Sequence, residues 1–431
     1  LVTRRGRKGR AIFHGWKVVA AGCVIQALHS GLMIQAFGNY AVLLKEEFGW
    51  SKTLFAGAFS MTRAESGLLG PVNGWSLERF GIRRMMRIGT VICAIGFLLM
   101  SQIQNAWQFF GAFLMVSIGV SMSGFLSVTT ATVGWFERRR ARALSLTGAG
   151  YALGGLAIPA VVFFMRTFGW RWTSACSGLF ILIVVFPLTR LFGLFPADLG
   201  QPVDGIDPDE AVENRTEVRA AGVSDVHFTP AEAVRTRAFW MISLGHASAL
   251  LVVGAVTAHL ALYLTNDQGF SLQTASFVGG ALPLLQLGGQ MMGGYLGDRY
   301  SKRLLSILAM FGHMSGLLLL AFAVHPWMVW LFVPLHGVAW GVRGPLMQAM
   351  RADYFGSTSF GRIMGVSSMV VMFGNMGGPL IAGILADQTH SYRLGFVIIA
   401  LLAGSGVGFF ALATPPAPPV REPALATVAT A

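Results

Sequence analysis

GWSLERFGIRR, residues 74–84, returns later in the chain as GYLGDRYSKR, residues 294–303. In both stretches a glycine comes first, an acid stands fifth, an arginine sixth and an aromatic residue seventh, and several basic residues follow. The offset from Gly74 to Gly294 is nearly the same as that from Phe136 to Phe355, which lie in two further loops of similar sequence. Two landmarks with nearly the same offset predict two halves related by duplication.

The composition is that of a membrane protein. The 431-residue chain is 54% hydrophobic and 12% charged, whereas soluble domains carry about 25% charged residues. Apolar runs of about 20 residues recur and are typical of transmembrane helices. We therefore predict an all-α membrane protein with twelve transmembrane helices in two pseudo-symmetric halves of six. The predicted spans are 16–41, 53–74, 85–103, 107–133, 144–166, 172–195, 239–265, 272–296, 303–324, 327–350, 360–385 and 392–413.

These spans divide the chain into an N-terminal half, 1–195, and a C-terminal half, 238–413. The central loop between them, 196–237, holds nine of the 19 acidic residues and is expected to be cytoplasmic. Near its end, the tetrapeptide TPAE beginning at Thr229 has the pattern of a capping box and predicts a short helix. The proline-rich tail, 414–431, is expected to be disordered.

The net charge of +13 is unevenly distributed along the chain. Of the 32 lysines and arginines, five lie in the odd-numbered connections and two lie inside spans, and the other 25 belong to the termini and the even-numbered connections. The positive-inside rule then predicts that both termini lie in the cytoplasm, and we expect the protein in the plasma (inner) membrane. The charge is an orientation signal, and it does not indicate a nucleic-acid partner. The seven exceptions are Lys45, Lys52, Arg166, Arg171, Arg393, Arg63 and Arg343.

Twelve spans, a repeat of six spans plus six, a central loop and a G-x-x-x-[DE]-R-[FY]-x-x-[RK] motif after the second and eighth spans resemble the major facilitator superfamily. The resemblance covers nearly the whole chain and implies a transporter that works by alternating access. In that family the acid of the loop engages the neighbouring helix bundle and favours the inward-closed state. By position, the resemblance implies gating roles for Gly74, Glu78, Arg79, Gly294, Asp298 and Arg299.

Three stretches are similar to the monocarboxylate and oxalate–formate porters of that superfamily. They are HGWKVV from His14, WFERRRARALSLTGAGYALGG from Trp135 and YFGSTSFGRIMG from Tyr354. This resemblance implies that the substrate is a small organic anion, with a monocarboxylate expected first. The sequence departs from the subfamily in the eighth span, where the places of an aspartate and an arginine are taken by Gln286 and Gln290.

Three charged residues lie well inside predicted spans, away from the span ends: Arg63, Glu65 and Arg343. A charge at the centre of a span costs about 2.5–3.5 kcal/mol on insertion scales, so each is expected to face a cavity or a partner. Arg63 and Glu65 are two residues apart on a helix, about 200° around it, and therefore cannot pair with each other. Glu65 is our candidate proton carrier, since burial favours the protonated form of a carboxyl group.

Arg343 is the strongest candidate for substrate binding. His336, Trp340 and Arg343 stand at i, i+4 and i+7 on one helix face, and a guanidinium can hold a carboxylate in bidentate geometry. The alternative is a structural arginine paired with a helix end or with Glu65. Gln286 and Gln290 share a helix face and either bind substrate or tie helices together. The full predicted substrate-binding set is Arg343, His336, Trp340, Arg63, Gln286, Gln290 and His29.

We therefore expect a secondary transporter for a small organic anion, and both proton symport and anion exchange are open. Two alternatives are an exporter of amphipathic compounds, for which 20 Met and 32 Phe could form an adaptable cavity, and a membrane sensor that does not transport. The chain shows no phosphate-binding loop, metal-ligand spacing or catalytic triad pattern. Accordingly no enzymatic activity, cofactor or metal is expected. The expected partners are the small-molecule substrate, protons and the lipid bilayer, and the protein is expected to be a monomer.

Overall fold

The computed structural model describes residues 13–50, 52–205 and 227–419. Each of the twelve predicted spans lies largely in helix, and the regular elements of the described residues are all helical, which confirms the all-α prediction. Residues 1–12, 51, 206–226 and 420–431 lie outside the described residues, and with them half of the predicted central loop and most of the predicted disordered tail.

The helices follow the predicted spans closely. Two of them are extended by short π-helices, Ser30–Gln35 and Tyr263–Asp267. In chain order the α-helices are α1 (His14–His29), α2 (Phe37–Phe48), α3 (Lys52–Leu68), α4 (Gly70–Phe80), α5 (Ile82–Met100), α6 (Ala106–Ser123), α7 (Phe125–Trp135), α8 (Arg140–Leu156), α9 (Ile158–Leu188), α10 (Pro230–Val234), α11 (Arg237–Leu262), α12 (Leu272–Gly297), α13 (Lys302–Ala321), α14 (Pro326–Phe355), α15 (Phe360–Thr389) and α16 (Arg393–Leu412).

Seven stretches of the described residues are long and apolar enough to cross a bilayer by length and composition. One of them, Arg140–Leu191, contains two predicted spans, which are separated at Gly169 by a left-handed φ of 82°. The predicted spans outside these seven stretches are α3 with α4, α5, α12 and α14, and each of them carries charged or amide side chains. Polar residues in a span are expected to face the interior of the bundle and not the lipid.

Side chains at the helix starts explain several boundaries. The Asn105 side chain accepts a hydrogen bond from the Gln108 amide (3.0 Å) at the start of α6. At the start of α10, Thr229 and Glu232 bond each other's backbone amides (2.7 and 3.3 Å), so the predicted capping box is confirmed. Pro71 has no amide hydrogen and breaks the second span into α3 and α4, just beyond the turn that holds Glu65.

The same close helix crossing occurs once in each half. A Cβ atom on Gly150 of α8 would lie 2.0 Å from the carbonyl oxygen of Cys23 in α1, and one on Gly374 of α15 would lie 2.0 Å from that of Ala247 in α11. The offset in sequence from Gly150 to Gly374 equals that from Cys23 to Ala247. Since glycine alone permits such an approach, the α1–α8 and α11–α15 crossings are duplicates of one packing arrangement.

The two halves of the sequence meet where the glycines of the repeated motifs lie. A Cβ atom on Gly74 of α4 would lie 2.5 Å from the carbonyl oxygen of Gly361 in α15, and one on Gly294 of α12 would lie 2.3 Å from Ser145 Oγ in α8. These contacts are adjacent to the loops that carry the repeated runs of basic residues, and we call this end of the bundle the basic end. The glycines therefore let the first and second halves close on each other there.

Candidate functional site

Arg343 lies in the middle of α14 and is 1% exposed. Its Nε and Nη1 atoms are buried and have no hydrogen-bond partner among the described residues. A guanidinium is charged at any physiological pH and offers five donors, so these unpaired nitrogens can bind an additional acceptor. A buried unpaired donor costs about 1–3 kcal/mol, more when it is charged.

Arg343 belongs to a group of five buried basic side chains, which we call the basic cluster. It consists of Arg343 and Arg351 with three histidines, and Arg343 interacts electrostatically with each of the other four. The Nδ1 atoms of two histidines lie 3.0 Å apart, and the third has its Nδ1 3.2 Å from Arg351 Nη2. The members are Arg343, Arg351 and His336 of α14, His246 of α11 and His313 of α13.

Arg351 is bound by neutral acceptors, whereas Arg343 is not. The Arg351 Nε and Nη2 atoms donate to Ser367 Oγ (3.1 and 2.8 Å), and Nη1 donates to the Met347 carbonyl oxygen (3.2 Å). Ser367 Oγ also lies 2.7 Å from Ser243 Oγ. Of the two arginines, Arg343 is therefore the one with hydrogen-bond donors free for a ligand.

Among the described residues, no carboxylate forms an ion pair with either arginine of the basic cluster. Glu65 lies elsewhere, so the predicted alternative that Arg343 pairs with Glu65 does not hold in this conformation. Placing two guanidinium groups in a low-dielectric interior without a counter-ion is costly. A bound anion would remove much of that cost, which makes Arg343 a chemically suitable anion site.

The side chains of the basic cluster in the second half are not repeated at the equivalent positions of the first half. The offset between the two motif glycines, counted back from His313, His336 and Arg343, leads to Cys93, Val116 and Ser123. The repeat explains the helices that carry the cluster but not its side chains.

Glu65 is a buried charged residue of the first half. It is 7% exposed, and its Oε2 atom accepts hydrogen bonds from Ser117 Oγ of α6 (2.6 Å) and from Ser66 Oγ (3.3 Å). Its Oε1 atom is buried and has no partner. The group therefore has hydroxyl partners but no cation among the described residues, which suits a carboxyl that gains and loses a proton.

Arg63 does not pair with Glu65, as the helical spacing predicted. Its guanidinium lies 4.8 Å from the centre of the Phe59 ring, and the side chain is partly exposed. Arg63 and Glu65 thus leave their helix in different directions, and Glu65 is the one that is enclosed.

The remaining predicted substrate residues are spread over both halves. The rings of Trp340 and His336 lie 6.1 Å apart. His29 is buried, and neither of its ring nitrogens has a partner. Gln290 ties helices together, because its Nε2 donates to the Ser145 carbonyl oxygen (2.9 Å). Gln286 is half-buried on α12.

At the basic end, the acids of the two repeated motifs reach the opposite half at matching places. Glu78 Oε2 lies 3.1 Å from Arg362 Nη1. Asp298 accepts a hydrogen bond from the Ala141 amide (2.9 Å) and lies 3.7 Å from Arg142 Nε. The offset from Glu78 to Asp298 equals that from Arg142 to Arg362, so this contact is duplicated as well.

The other predicted gating residues contribute less to these contacts. Arg299 stacks on the Tyr295 ring at 4.1 Å, and Arg79 is exposed. Burial raises the pKa of the Asp298 carboxyl to about 6, although the Arg142 amide, Lys302, the Ala141 amide and the Arg142 side chain act in the opposite direction. The role of the six motif residues in gating stays a prediction.

A third ion-pair group at the basic end has no duplicate among the described residues. Asp353, at the end of α14, pairs with Arg140 at the start of α8 and with Lys302 at the start of α13 (2.8 Å). Asp353 and Arg140 are both buried, unlike the half-exposed Glu78–Arg362 pair. This triad joins three helix ends across the two halves.

Two open pockets, each of about 420 Å³, lie away from these groups. One is an apolar groove between α12 and α14 that includes Phe277, Leu284 and Trp330. The other lies where α2 meets α3. Arg343 and Glu65 are enclosed in this conformation, so a solute reaches either one only after the helices move.

The sequence matches the model of the Major Facilitator Superfamily over residues 23–333 and 242–429. The chain belongs to this superfamily. It is 29% identical to human monocarboxylate transporter 11 over 417 residues, which cover 91% of this chain and 81% of the relative. It is 22% identical to the oxalate:formate antiporter of Oxalobacter formigenes, covering 93% of this chain and 90% of the relative. The structure of the human organic anion transporter MFSD10 matches with a TM-score of 0.69 at 14% identity, covering 92% of this chain and 99% of that one.

The protein is thus an integral membrane transporter of the Major Facilitator Superfamily. The resemblance stated from the motifs, including the monocarboxylate and oxalate–formate branch, is confirmed by these relatives. Sequence reasoning missed Asp353, Arg140 and Arg351. The first two stand in the similar loops that follow the fourth and tenth spans, where a lone acid facing a basic loop in the other half was the available signal.

Proposed function

We propose that this transporter moves a small organic anion that carries a carboxylate group, and that Arg343 binds the carboxylate. The observation that carries the proposal is the buried guanidinium with two unpaired nitrogens in a cluster without a described acid. The relatives support the same chemistry, since monocarboxylates, oxalate and formate are all carboxylate anions. A charge-assisted, bidentate contact is the strongest interaction that this side chain can offer.

In the proposed cycle, the contacts at the basic end close one side of the bundle while the anion enters from the other. The glycine crossings and the ion pairs of Glu78, Asp298 and Asp353 must then separate for release at the basic end. The positive-inside rule predicts that the basic end lies on the cytoplasmic side of the plasma (inner) membrane. In that orientation this conformation is inward-closed. The transporter is proposed to act as a monomer.

Energy for uphill movement comes from a gradient, either of protons or of a second anion. Glu65 is the proposed proton carrier in the symport mode, because its carboxyl is buried, has an unpaired oxygen and is bonded by hydroxyls alone among the described residues. In the exchange mode a second anion is bound when the transporter returns to its starting conformation, and Glu65 need not change its protonation.

Purified protein in liposomes tests the anion assignment. Uptake and counterflow of radiolabelled formate, pyruvate, oxalate and 3-phenylpropionate are measured for the wild type, Arg343→Gln and Arg343→Lys. The exposed Arg166→Gln is the matched control, since it removes an arginine far from the cluster. We expect Arg343→Gln to lower affinity about ten- to a hundredfold, since a charge-assisted contact is worth roughly 1.5–3 kcal/mol. Arg343→Lys should recover only part of it, because an ammonium lacks the planar fork.

Melting temperature is measured on the same preparations. Normal anion affinity in a well-folded Arg343→Gln protein would refute the proposal. Transport of amphipathic cations or neutral amphiphiles, with none of the four carboxylates carried, would favour an exporter instead.

A further inference from the structure

His313 and His336 form an enclosed pair beside the Arg343 site. Their Nδ1 atoms lie 3.0 Å apart, and both side chains are fully buried. In the part of the chain that the structure describes, the Nε2 atom of each ring has no hydrogen-bond partner. The ring of Phe332 stacks on that of His336 at 5.2 Å and 17°. Two unpaired imidazole nitrogens in one closed site are a proton-binding arrangement that the anion proposal does not use.

The geometry limits the pair to one additional proton. For the Nδ1 atoms to bond, one ring donates and the other accepts. In the neutral pair, the accepting ring carries its own hydrogen on Nε2, and the donating ring has a free lone pair on Nε2. A proton from solvent can add to that lone pair without breaking the Nδ1 hydrogen bond. A second proton would have to occupy the shared contact and would break it.

Arg343 controls whether that proton can stay. Arg343 stands two turns beyond His336 on the same face of α14, and helical side chains lean toward the N-terminus, here toward the pair. Besides the pair itself, the titratable groups that face this region among the described residues are Arg343 and Arg351 of α14 and His246 of α11.

The other neighbours add no negative charge. The described lengths of α12 and α16 contain no acid, and Asp353 pairs with Arg140 and Lys302 at the far end of α14. With the anion site empty, an added proton therefore meets only like charges. A carboxylate bound to Arg343 neutralises the positive charge of its guanidinium. The aromatic rings of Phe332 and Trp340 then favour a charged imidazolium over a neutral imidazole.

We infer that the His313–His336 pair takes up one proton when an anion binds at Arg343, so that anion affinity rises as the pH falls. This inference rests on the proposed function and adds a proton site to it. Linkage makes the effect reciprocal: binding of one anion with one proton gives a tenfold change in affinity per pH unit while the empty pair is neutral. Glu65 lies in the other half and bonds to Ser117, so its proton is not part of this binding step.

Isothermal titration calorimetry counts the protons directly. The wild type is titrated above pH 7 with whichever of formate, pyruvate, oxalate or 3-phenylpropionate binds, in two buffers of different ionisation enthalpy. We expect about one proton taken up per anion, and a tenfold weaker affinity for each unit of pH increase. The pair variant, His313→Asn combined with His336→Asn, keeps a nitrogen near each Nδ1 position but has no imidazole left to titrate, and it should show no proton uptake and no pH dependence.

Two controls separate this site from other histidines and from Glu65. His259→Asn removes a histidine whose Nε2 bonds the Pro379 carbonyl oxygen (3.0 Å), outside the cluster, and should leave one proton per anion. Glu65→Gln should also leave one. Proton uptake that survives in the pair variant, or that disappears in Glu65→Gln, overturns the inference.

The wild-type measurement is decisive even if the pair variant does not fold. Anion binding without proton uptake overturns the inference while leaving the proposed function intact. If none of the four anions binds, or if Arg343→Gln binds them normally, the proposed function is overturned and the inference falls with it.

Discussion

Asp353→Asn should open the basic end, and Glu78→Gln should not. Asp353 is buried and is bonded to Arg140 and Lys302, so its neutralisation leaves two cations at the closed interface without their acid. Removing one partner of a buried ion pair costs about 3–5 kcal/mol. Because the groups reach water when the halves separate, this cost falls on the closed state. The ratio of closed to open molecules should therefore drop by about two to four powers of ten.

The duplicated pair predicts a much smaller effect. Glu78 and Arg362 are 29% and 41% exposed, and ion pairs screened by solvent are worth about 0–1 kcal/mol. Glu78→Gln should therefore change the closed-to-open ratio by no more than about fivefold. Two residues that look alike as loop acids thus differ because one of them is sealed from water.

Distances between spin labels measure the ratio. Labels are placed at the exposed residues Arg139 and Thr358, one in each half at the basic end, after replacement of the three native cysteines. A second, longer distance should dominate in Asp353→Asn and be minor in Glu78→Gln. Two outcomes would show that burial does not decide which ion pair keeps the basic end closed. One is equal opening by the two variants; the other is an Asp353→Asn protein that melts at the same temperature as the wild type and keeps the closed distance.

Three other contacts give predictions of their own. The pKa of Asp298 is about 6 in the closed state and returns toward 3.8 when opening exposes the carboxyl, so the closed state binds more protons and is favoured by acid. Lowering the pH from 7 to 5 should raise the closed fraction relative to open by about tenfold, measured with the same labels, and Asp298→Asn should remove that response. Gly374→Ala should destabilise the fold by about 1–3 kcal/mol through overpacking, because its Cβ would lie 2.0 Å from a carbonyl oxygen, and the melting temperature should fall accordingly. Gly288→Ala is the control and should leave the melting temperature unchanged, since the space around Gly288 is open. Glu65→Gln should lower the number of protons carried per anion by one and keep counterflow; an unchanged proton-to-anion ratio in uptake would remove Glu65 from the mechanism.

The fold could be predicted because lipid and duplication both leave a periodic record in the sequence. Apolar runs mark where the chain crosses the bilayer, and the second copy of the loop motif fixes the offset between the halves. The spans of α12 and α14 were also predicted from their apolar runs, although neither is among the seven most apolar stretches of the described residues. The start of α10 followed from local chemistry, in the capping box at Thr229.

The site could be predicted only as far as single helices go. The spacing of Arg63 and Glu65 correctly excluded a pair between them, and the spacing of His336 and Arg343 placed both on one face. Neither spacing indicates what lies across from a helix. Ser117 as the partner of Glu65, and His313 as the partner of His336, depend on how separate helices pack, which the chain does not encode locally.

Arg351 provides a last test of whether pairing or position makes an arginine functional in this cluster. It stands eight residues beyond Arg343 and is equally buried, but its nitrogens are engaged by Ser367, by the Met347 carbonyl oxygen and by His246. Arg351→Gln should therefore act on stability, because it leaves these buried acceptors without a donor at about 1–3 kcal/mol for each unsatisfied group. The melting temperature should fall, and the folded fraction should bind its anion within about threefold of wild type, in contrast to Arg343→Gln. Loss of affinity in Arg351→Gln at an unchanged melting temperature would mean that the anion reaches both arginines and that the unpaired nitrogens of Arg343 do not define the site.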